Sequence, residues 1–428
     1  MLDRKFIVDN AELVKQNCLQ RGVNVDVDQL VAIESKRRIK LNEVQEFNKQ
    51  ANANNKLIRQ AANDEQRQEI IATGRLLRNQ KDTSQAACDE LEEQALGIQQ
   101  LIPNLSHPSA PVGTDDKANL ELRQGAHPPQ HFEFSPLDHV ELGEKLDLFS
   151  FEGGAKTTGH GFYFLKNDAV LLEMALQRYA LDLLIQENFT PMTTPDLARN
   201  EILEGIGFIP RGQETQIYSI EQTDLSLIAT AEITLGGLHA GETLDAAQLP
   251  IKICGVSHCY RTEAGAHGRA TRGLFRVHQF TKIEMFAFTA PDQSESMLDY
   301  FCELECRLFD GLGIPYRVVD TATGDLGGPA YRKFDLEAWM PGRGDTGAYA
   351  EVTSTSNCTD YQARRLNIRY KEKGEKGTRF LHTLNGTAIA LSRAMIAVLE
   401  NYQQADHSVI VPKKLQSYMG KDRITLAT

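Results

Sequence analysis

Cysteine is scarce and unpatterned in this chain of 428 residues: there are seven, an odd number, at positions 18, 88, 254, 259, 302, 306 and 358. That scatter excludes a disulfide framework and fits the reduced thiols of a cytoplasmic protein. Proline is absent before Pro103, and only Gly22, Gly74 and Gly97 precede it. The first hundred residues therefore lack helix breakers, which predicts long helices. Long apolar runs are also missing. The most apolar stretch, 169–185, is interrupted by Glu173, Gln177, Arg178 and Asp182 and cannot span a bilayer. The mixed-charge start Met1-Leu2-Asp3-Arg4-Lys5 matches neither a secretory signal nor an acid-poor transit peptide, so no membrane role is expected. Positive charge is in deficit. The 46 Lys and Arg face 58 Asp and Glu, a net of −12, which argues against nonspecific nucleic-acid or membrane binding by the chain as a whole. What is present, 41% hydrophobic and 24% charged residues, is ordinary for a globular protein of about two to four domains.

Apolar residues recur at heptad spacing at Val44, Ala51 and Ile58, and again at Ile70, Leu77, Leu91 and Ile98 with Ser84 between them. Two helices packed antiparallel along a seam are expected, joined near Asn63-Asp64-Glu65, each about 35 residues and roughly 50 Å long. Between Lys36 and Lys81 the hairpin carries eleven Lys and Arg against five Asp and Glu, so this +6 segment sits in a chain of net −12. Such a run fits a solvated coiled-coil face, or a projecting arm that grips a phosphate backbone; composition does not choose between them. From Pro103 to Pro136 the sequence turns to Pro, His, Ser and Gly, which reads as a linker. Two domains are expected, 1–110 and 111–428. Beyond the boundary, strand-like runs at 251–263 and 275–288 alternate with helical stretches at 169–187, 293–311 and 388–402, without a parallel βαβ repeat. The expected class is α+β: an antiparallel sheet with flanking helices, plus the N-terminal helical arm.

The two strand-like runs are joined by a loop rich in glycine and arginine, 264–274. Side chains alternate along a strand, so Arg261 and Glu263 share one face, and Arg276, His278, Phe280, Lys282 and Glu284 share one face of the return strand. Cross-strand ion pairs on an exposed sheet would explain this density, and so would ligands; Ile283, Met285 and Phe288 point to a buried opposite face. Two more polar segments stand out: Glu351-Val352-Thr353-Ser354-Thr355-Ser356-Asn357, and Leu384-Asn385-Gly386-Thr387 running to Arg393 at the opening of a helix.

These segments together resemble the class II aminoacyl-tRNA synthetases. Arg261-Thr262-Glu263 with Val277-His278-Gln279-Phe280 is similar to their motif 2, the Gly386–Arg393 stretch to motif 3, and Pro195 to motif 1. With Thr230-Ala231-Glu232, Glu284 and the 351–357 run, the whole chain resembles the seryl-tRNA synthetase family. That resemblance implies activation of L-serine by ATP to seryl-adenylate and transfer to tRNA(Ser), with the selenocysteine tRNA a second candidate acceptor. It implies that Arg261 binds the α-phosphate and the serine carboxylate, Arg393 the γ-phosphate, and that Glu351 and Ser354 hold Mg²⁺. Phe280 would stack on adenine, with Thr262, Glu263 and the 277–279 backbone orienting the nucleotide beside Val352 and Thr353. Thr230, Ala231, Glu232, Glu284, Asn385 and Thr387 would form the serine pocket; some members have serine where Thr387 stands. The N-terminal arm would bind tRNA, and the motif 1 helix and strand would build a homodimer. The chemistry suits the residue types, because a serine carboxylate is ionised at neutral pH and needs alignment and charge neutralisation rather than a base. A paralogue that charges a carrier protein, or a tRNA-binding protein without catalysis, are the alternatives; the basic arm argues against the first and retention of Arg261, Glu351 and Arg393 against the second.

Weaker signals carry less. A strand puts Cys254 and His258 on one face and Cys259 on the other, and Cys302 and Cys306 lack further ligands, so packed thiols are expected rather than zinc. In Gly153-Gly154-Ala155-Lys156-Thr157-Thr158, Ala155 stands where a phosphate loop demands glycine. Arg364-Arg365 reads as a solvated pair on a surface helix.

Overall fold

A computed structural model describes residues 1–208, 216–263 and 272–426. The chain divides into two compact units, Met1–Leu105 and Ser106–Thr428, five residues short of the boundary expected at 110. In the first unit, short helices Arg4–Asp9 and Ala11–Gln20 precede α1 (Val27–Ile58) and α2 (Asp64–Leu101). Each long helix starts on a side-chain cap. Asp26 accepts from the Gln29 amide at 2.8 Å and Asn63 from the Gln66 amide at 2.8 Å, while the Gln66 side chain returns to Ala62 N–H at 2.7 Å, satisfying amides that no helical carbonyl reaches. The seam is polar as well as apolar: Asn54 Nδ2 donates to Ile70 O at 2.9 Å and Ser84 Oγ to Glu43 at 2.8 Å. An apolar cluster of Ile7, Val14, Leu30, Ile33, Ala95 and Ile102 closes the base. Towards the hairpin tip, Lys56, Arg59, Arg67, Arg75 and Arg78 are exposed.

The second unit is built on an eight-stranded sheet. In chain order its strands are β1 (Leu120–Gln124), β2 (Thr190–Thr193), β3 (Ile251–Tyr260), β4 (Gln279–Thr289), β5 (Tyr316–Asp320), β6 (Arg332–Met340), β7 (Ala348–Asn357) and β8 (His382–Ala390). They lie in the order β1-β5-β6-β7-β8-β4-β3-β2, antiparallel throughout except for β2 against β3. The helices are α3 (His139–Lys145), α4 (Asp168–Gln186), α5 (Asn200–Ile206), α6 (Glu232–Gly237), α7 (Ser294–Leu312), α8 (Tyr361–Leu366) and α9 (Leu391–Tyr402). Among the described residues no helix is long and apolar enough to cross a membrane.

Alternation on β4 decides where the core sits. Ile283, Met285 and Ala287 face a large core with Leu172 and Leu176 of α4, Phe301 and Phe309 of α7 and Met395 of α9. The other face runs from Phe280 through the charged Lys282 and Glu284 and turns apolar at Phe286 and Phe288, which are covered by Ile206, Ile233 and Leu366. Phe288 therefore lies on the even face with Phe286, not with Ile283 and Met285 as expected. The strands are also shorter than the polar runs suggested: β3 ends at Tyr260 and β4 starts at Gln279, so Arg261, Glu263, Arg276 and His278 sit in the connections. Motif 3 shows the opposite shift. Residues 388–390 remain in β8, where Ile389 and Ala390 pair with β4, and α9 starts only at Leu391. Residues 151–157 form a short helix, Phe151–Thr157, rather than a phosphate loop. Arg364 pairs with Asp360 at 2.7 Å and Arg365 Nη1 donates to Glu204 O at 2.7 Å, so both arginines serve local structure.

Candidate active site

Four neighbouring strands, β6, β7, β8 and β4, present polar side chains to one cleft, and two β-bulges aim them. Opposite β6, the register passes from Leu336↔Thr353 to Glu337↔Glu351, leaving Val352 as the extra residue. Strict alternation would put Glu351 and Ser354 on opposite faces. The bulge turns both, with Ser356, into a cavity of about 480 Å³, while Thr353 Oγ1 donates to Glu305 on α7 at 3.0 Å. On β8 the register against β4 slips at Ala388, between Thr387↔Glu284 and Ile389↔Ile283. Asn385 and Thr387 line the same cavity. Bulges at such positions re-aim side chains at a modest cost in pairing.

The deep end holds three segments distant in sequence. Lys282 Nζ lies between the Glu284 carboxylate, with which it forms a buried ion pair, Thr230 Oγ1 at 2.8 Å and Thr387 Oγ1 at 3.4 Å. Thr387 Oγ1 also donates to Glu284 at 3.3 Å. Glu232 stands at the start of α6, where its backbone N–H donates to Thr230 Oγ1 at 3.2 Å. Its Oε1 accepts from Gln362 Nε2 at 2.7 Å and Asn385 Nδ2 at 2.8 Å. Burial, reinforced by the charge of Glu284, pushes the Glu232 carboxyl up to about 7. Ala231 is fully buried beside it.

The outer end is cationic. Arg261 lines both the 480 Å³ cavity and a tighter one at its mouth; its Nε donates to Ala229 O at 3.4 Å and its guanidinium lies 5.2 Å from the Phe280 ring centroid. Arg393 Nη1 donates both to the Glu351 carboxylate and to Glu351 O, each at 2.9 Å. Partial desolvation works to raise the Glu351 pKa, but the charges of Arg393, Lys333 and Arg261 outweigh it and hold the carboxyl below its ordinary value. Beneath Ser354, Asp335 is pushed up to about 6 by burial, opposed by Lys333 at 3.2 Å. Glu263, in the left-handed region at φ 50°, is anchored by Arg276 at 2.7 Å and by its N–H donating to Gln216 Oε1 at 3.0 Å. Thr262 N–H donates to Gln216 O at 3.1 Å. Val277, Val352 and Thr353 border the mouth.

Of the expected site residues, Ala231, Thr262, Gln279 and His278 line neither cavity, and the side chain drawn to other partners is that of His278. Its ring stacks on Phe162 and hydrogen-bonds Tyr218, and its backbone is occupied by Gly161 O and Arg261 N–H. Gln279 opens β4 by pairing with Tyr260. Most of the loop 264–274, including Gly265, Gly268 and Arg269, lies outside the described residues. Lys282, Lys333 and Gln362 are functional neighbours that the sequence reading gave no role. Only Lys282 had a signal, its place on the face of Phe280 and Glu284. The cysteine and histidine signals form nothing comparable: among the described residues no group of three His, Cys, Asp or Glu could hold a metal ion.

A family model described as the seryl-tRNA synthetase N-terminal domain matches residues 1–106, and one described as the tRNA synthetase class II core domain (G, H, P, S and T) matches residues 217–402. The serine–tRNA ligase of Rhodopirellula baltica is 59% identical over 422 residues, covering 99% of each chain. The chain belongs to the seryl-tRNA synthetase family. Likeness extends to structure: the crystal structure of seryl-tRNA synthetase from Pyrococcus horikoshii complexed with ATP has a TM-score of 0.93 at 39% identity and covers 100% of both chains. The cytoplasmic serine–tRNA ligase from Naegleria fowleri in complex with AMP has a TM-score of 0.86 at 32% identity, covering 98% of this chain and 96% of that one.

Proposed function

We infer that this protein activates L-serine with ATP to form seryl-adenylate and transfers the seryl group to tRNA(Ser). The observation that carries the reading is the convergence of Arg261, Glu351 and Arg393 on one cleft that ends in a carboxylate-lined pocket. ATP enters at the cationic mouth, its adenine against Phe280, with Glu263 and the backbone of Val277 beside it. Serine sits deeper, its carboxylate towards Arg261 and its ammonium between Glu232 and Glu284. Its hydroxyl meets Thr387, Asn385 and Thr230, partners that an alanine substrate would leave unpaired. The serine carboxylate then attacks the α-phosphorus, and the bond from that phosphorus to the bridging oxygen breaks to release pyrophosphate; guanidinium groups fixed in advance neutralise the charge that builds on the phosphates.

The donors also suit Mg²⁺. Glu351 and Ser354 offer oxygens on one face, Glu351 is held ionised by its cationic neighbours, and a hard cation prefers such ligands. When bound, the ion supplies charge to the β- and γ-phosphates. The exposed cations Lys56, Arg59, Arg67, Arg75 and Arg78 support a tRNA-binding arm, and selenocysteine tRNA would engage it in the same way. Exposed Val170, Leu171 and Met174 on α4 support a homodimer through the motif 1 region. The seven cysteines, none in a disulfide, are consistent with work in the cytoplasm.

Serine-dependent exchange of pyrophosphate into ATP tests the central step. Exchange is expected with serine and Mg²⁺, lost on chelation and restored by Mg²⁺, and reduced at least about a hundredfold in Arg393→Ala. Folded protein with no serine-dependent exchange would refute the reading.

A further inference from the structure

The ring of Phe275 is the partition between the cationic mouth and a second cavity of about 620 Å³, lined among others by Asp138, His139, Arg272, Arg343 and Glu400. Two guanidinium groups lie over this one ring: Arg393, 4.7 Å from its centroid, faces the mouth, and Arg343, 4.4 Å away, faces the second cavity. Arg393 Nε also donates to Phe275 O at 3.3 Å. Among the described residues no carboxylate comes within ion-pair distance of Arg343, and burial together with the charge of Arg393 lowers its pKa below the ordinary arginine value. Like charges this close repel; an aromatic ring between them offers each a negative π-face instead.

The ring is itself held from behind. Leu274 N–H donates to His139 Nε2 at 3.1 Å, and His139 Nδ1 lies 2.9 Å from Glu400 Oε1. Since Nε2 accepts, the network assigns the proton to Nδ1. Glu400 Oε1 also accepts from the His139 amide at 3.1 Å, and Oε2 from the Gly342 amide at 2.9 Å, which fixes the turn that carries Arg343. Gly273, at φ 69°, passes so close that a Cβ would lie 2.1 Å from His139 Nε2, so only glycine allows the approach. Glu400 and Arg393 both belong to α9. One buried carboxylate thus ties the return from the motif 2 loop, the β6–β7 turn and the motif 3 helix together around Phe275.

We propose that Phe275 is a positioning residue for ATP binding, its ring braced by Arg343 and by the His139–Glu400 pair so that Arg393 is held over the mouth beside Glu351. The proposal rests on the reading of Arg393 as a phosphate ligand, but it predicts a property of ATP binding alone. Calorimetric titration of the full-length protein with ATP and Mg²⁺ reads it without serine. Phe275→Leu keeps an apolar side chain and removes the π-face, and should weaken ATP binding roughly 3- to 30-fold. Its exchange KM for serine should stay within about twofold and its unfolding midpoint near wild type, and Phe275→Tyr should restore ATP binding. Arg343→Met, at a half-buried position, should weaken ATP binding about 2- to 5-fold. Unchanged ATP affinity in Phe275→Leu would overturn the proposal, as would failure of Tyr to rescue, or a loss for both substrates that tracks a lowered midpoint. If the Leu variant does not fold, Arg343→Met decides, and wild-type affinity there overturns it. Absence of serine-dependent exchange in the wild type, with ATP still bound, would instead count against the serine reading.

Discussion

At the scale of single residues, the proposed serine pocket gives two carboxylates different partners. Glu284 is neutralised by Lys282, whereas Glu232 has only amide donors and is pushed up to about 7 by burial and by Glu284. A raised folded-state pKa means that protonated Glu232 favours the native state. Its contribution is full below the ordinary carboxylate range and is lost as pH rises towards 7. Without serine, thermal stability should therefore fall between about pH 5 and 8, and Glu232→Gln should flatten the curve. The serine ammonium needs the ionised form, so KM for serine should drop about tenfold from pH 6 to pH 8. A pH-independent KM in the wild type would show that Glu232 does not receive the ammonium. Lys282→Met leaves Glu284 buried without its partner and should cost about 3–5 kcal/mol. Adding Glu284→Gln should recover most of the stability but not serine binding, a difference that denaturant titration and exchange kinetics resolve. Lys282 was legible only as a face of β4. Its partners Thr230 and Thr387 come from segments 52 and 105 residues away, a separation that local alternation does not carry.

Elements show the same division between what a pattern holds and what tertiary pairing decides. Helix breakers and heptads located α1 and α2, because capping and periodic burial are local. Alternation placed Phe280, Lys282 and Glu284 together for the same reason. The bulges at Val352 and Ala388 have no local signature, since each arises from pairing with a neighbouring strand; the resemblance to a family, not parity, put Glu351 and Ser354 together. Phe288 was misplaced because an apolar residue reads as buried on either face, and both faces of β4 are covered at that end. Removing Val352 tests what its bulge does. The deletion would restore regular pairing with β6 and leave Glu351 two positions from Ser354, so both would still face the cleft. Exchange should therefore stay within about tenfold of wild type, with the far-ultraviolet circular dichroism of the sheet retained. A folded deletion variant that loses its activity would show that the bulge does more than select the face that Glu351 takes.

For the molecule as a whole, charge is partitioned between two jobs. The chain carries −12 although residues 36–81 carry +6, so everything outside that segment sums to −18. An acidic body disfavours a polyanion at random positions, and on the proposed reading the basic arm selects where one is held. The two substrates should consequently differ in their response to salt. ATP and serine bind in a cleft where fixed charges are partly screened from solvent, and exchange should change less than about threefold between 50 and 200 mM salt. Binding of tRNA through exposed lysines and arginines, as proposed, would release counterions; with about three phosphates neutralised, the affinity should fall roughly 20- to 40-fold over the same range. Replacing Arg59, Arg67, Arg75 and Arg78 by Gln should flatten that salt slope and raise the KM for tRNA while leaving exchange untouched. Filter binding at several salt concentrations, run beside pyrophosphate exchange on the same preparations, separates the two. Equal slopes for wild type and variant would mean that these arginines only keep the helices solvated, and the tRNA would have to be gripped elsewhere.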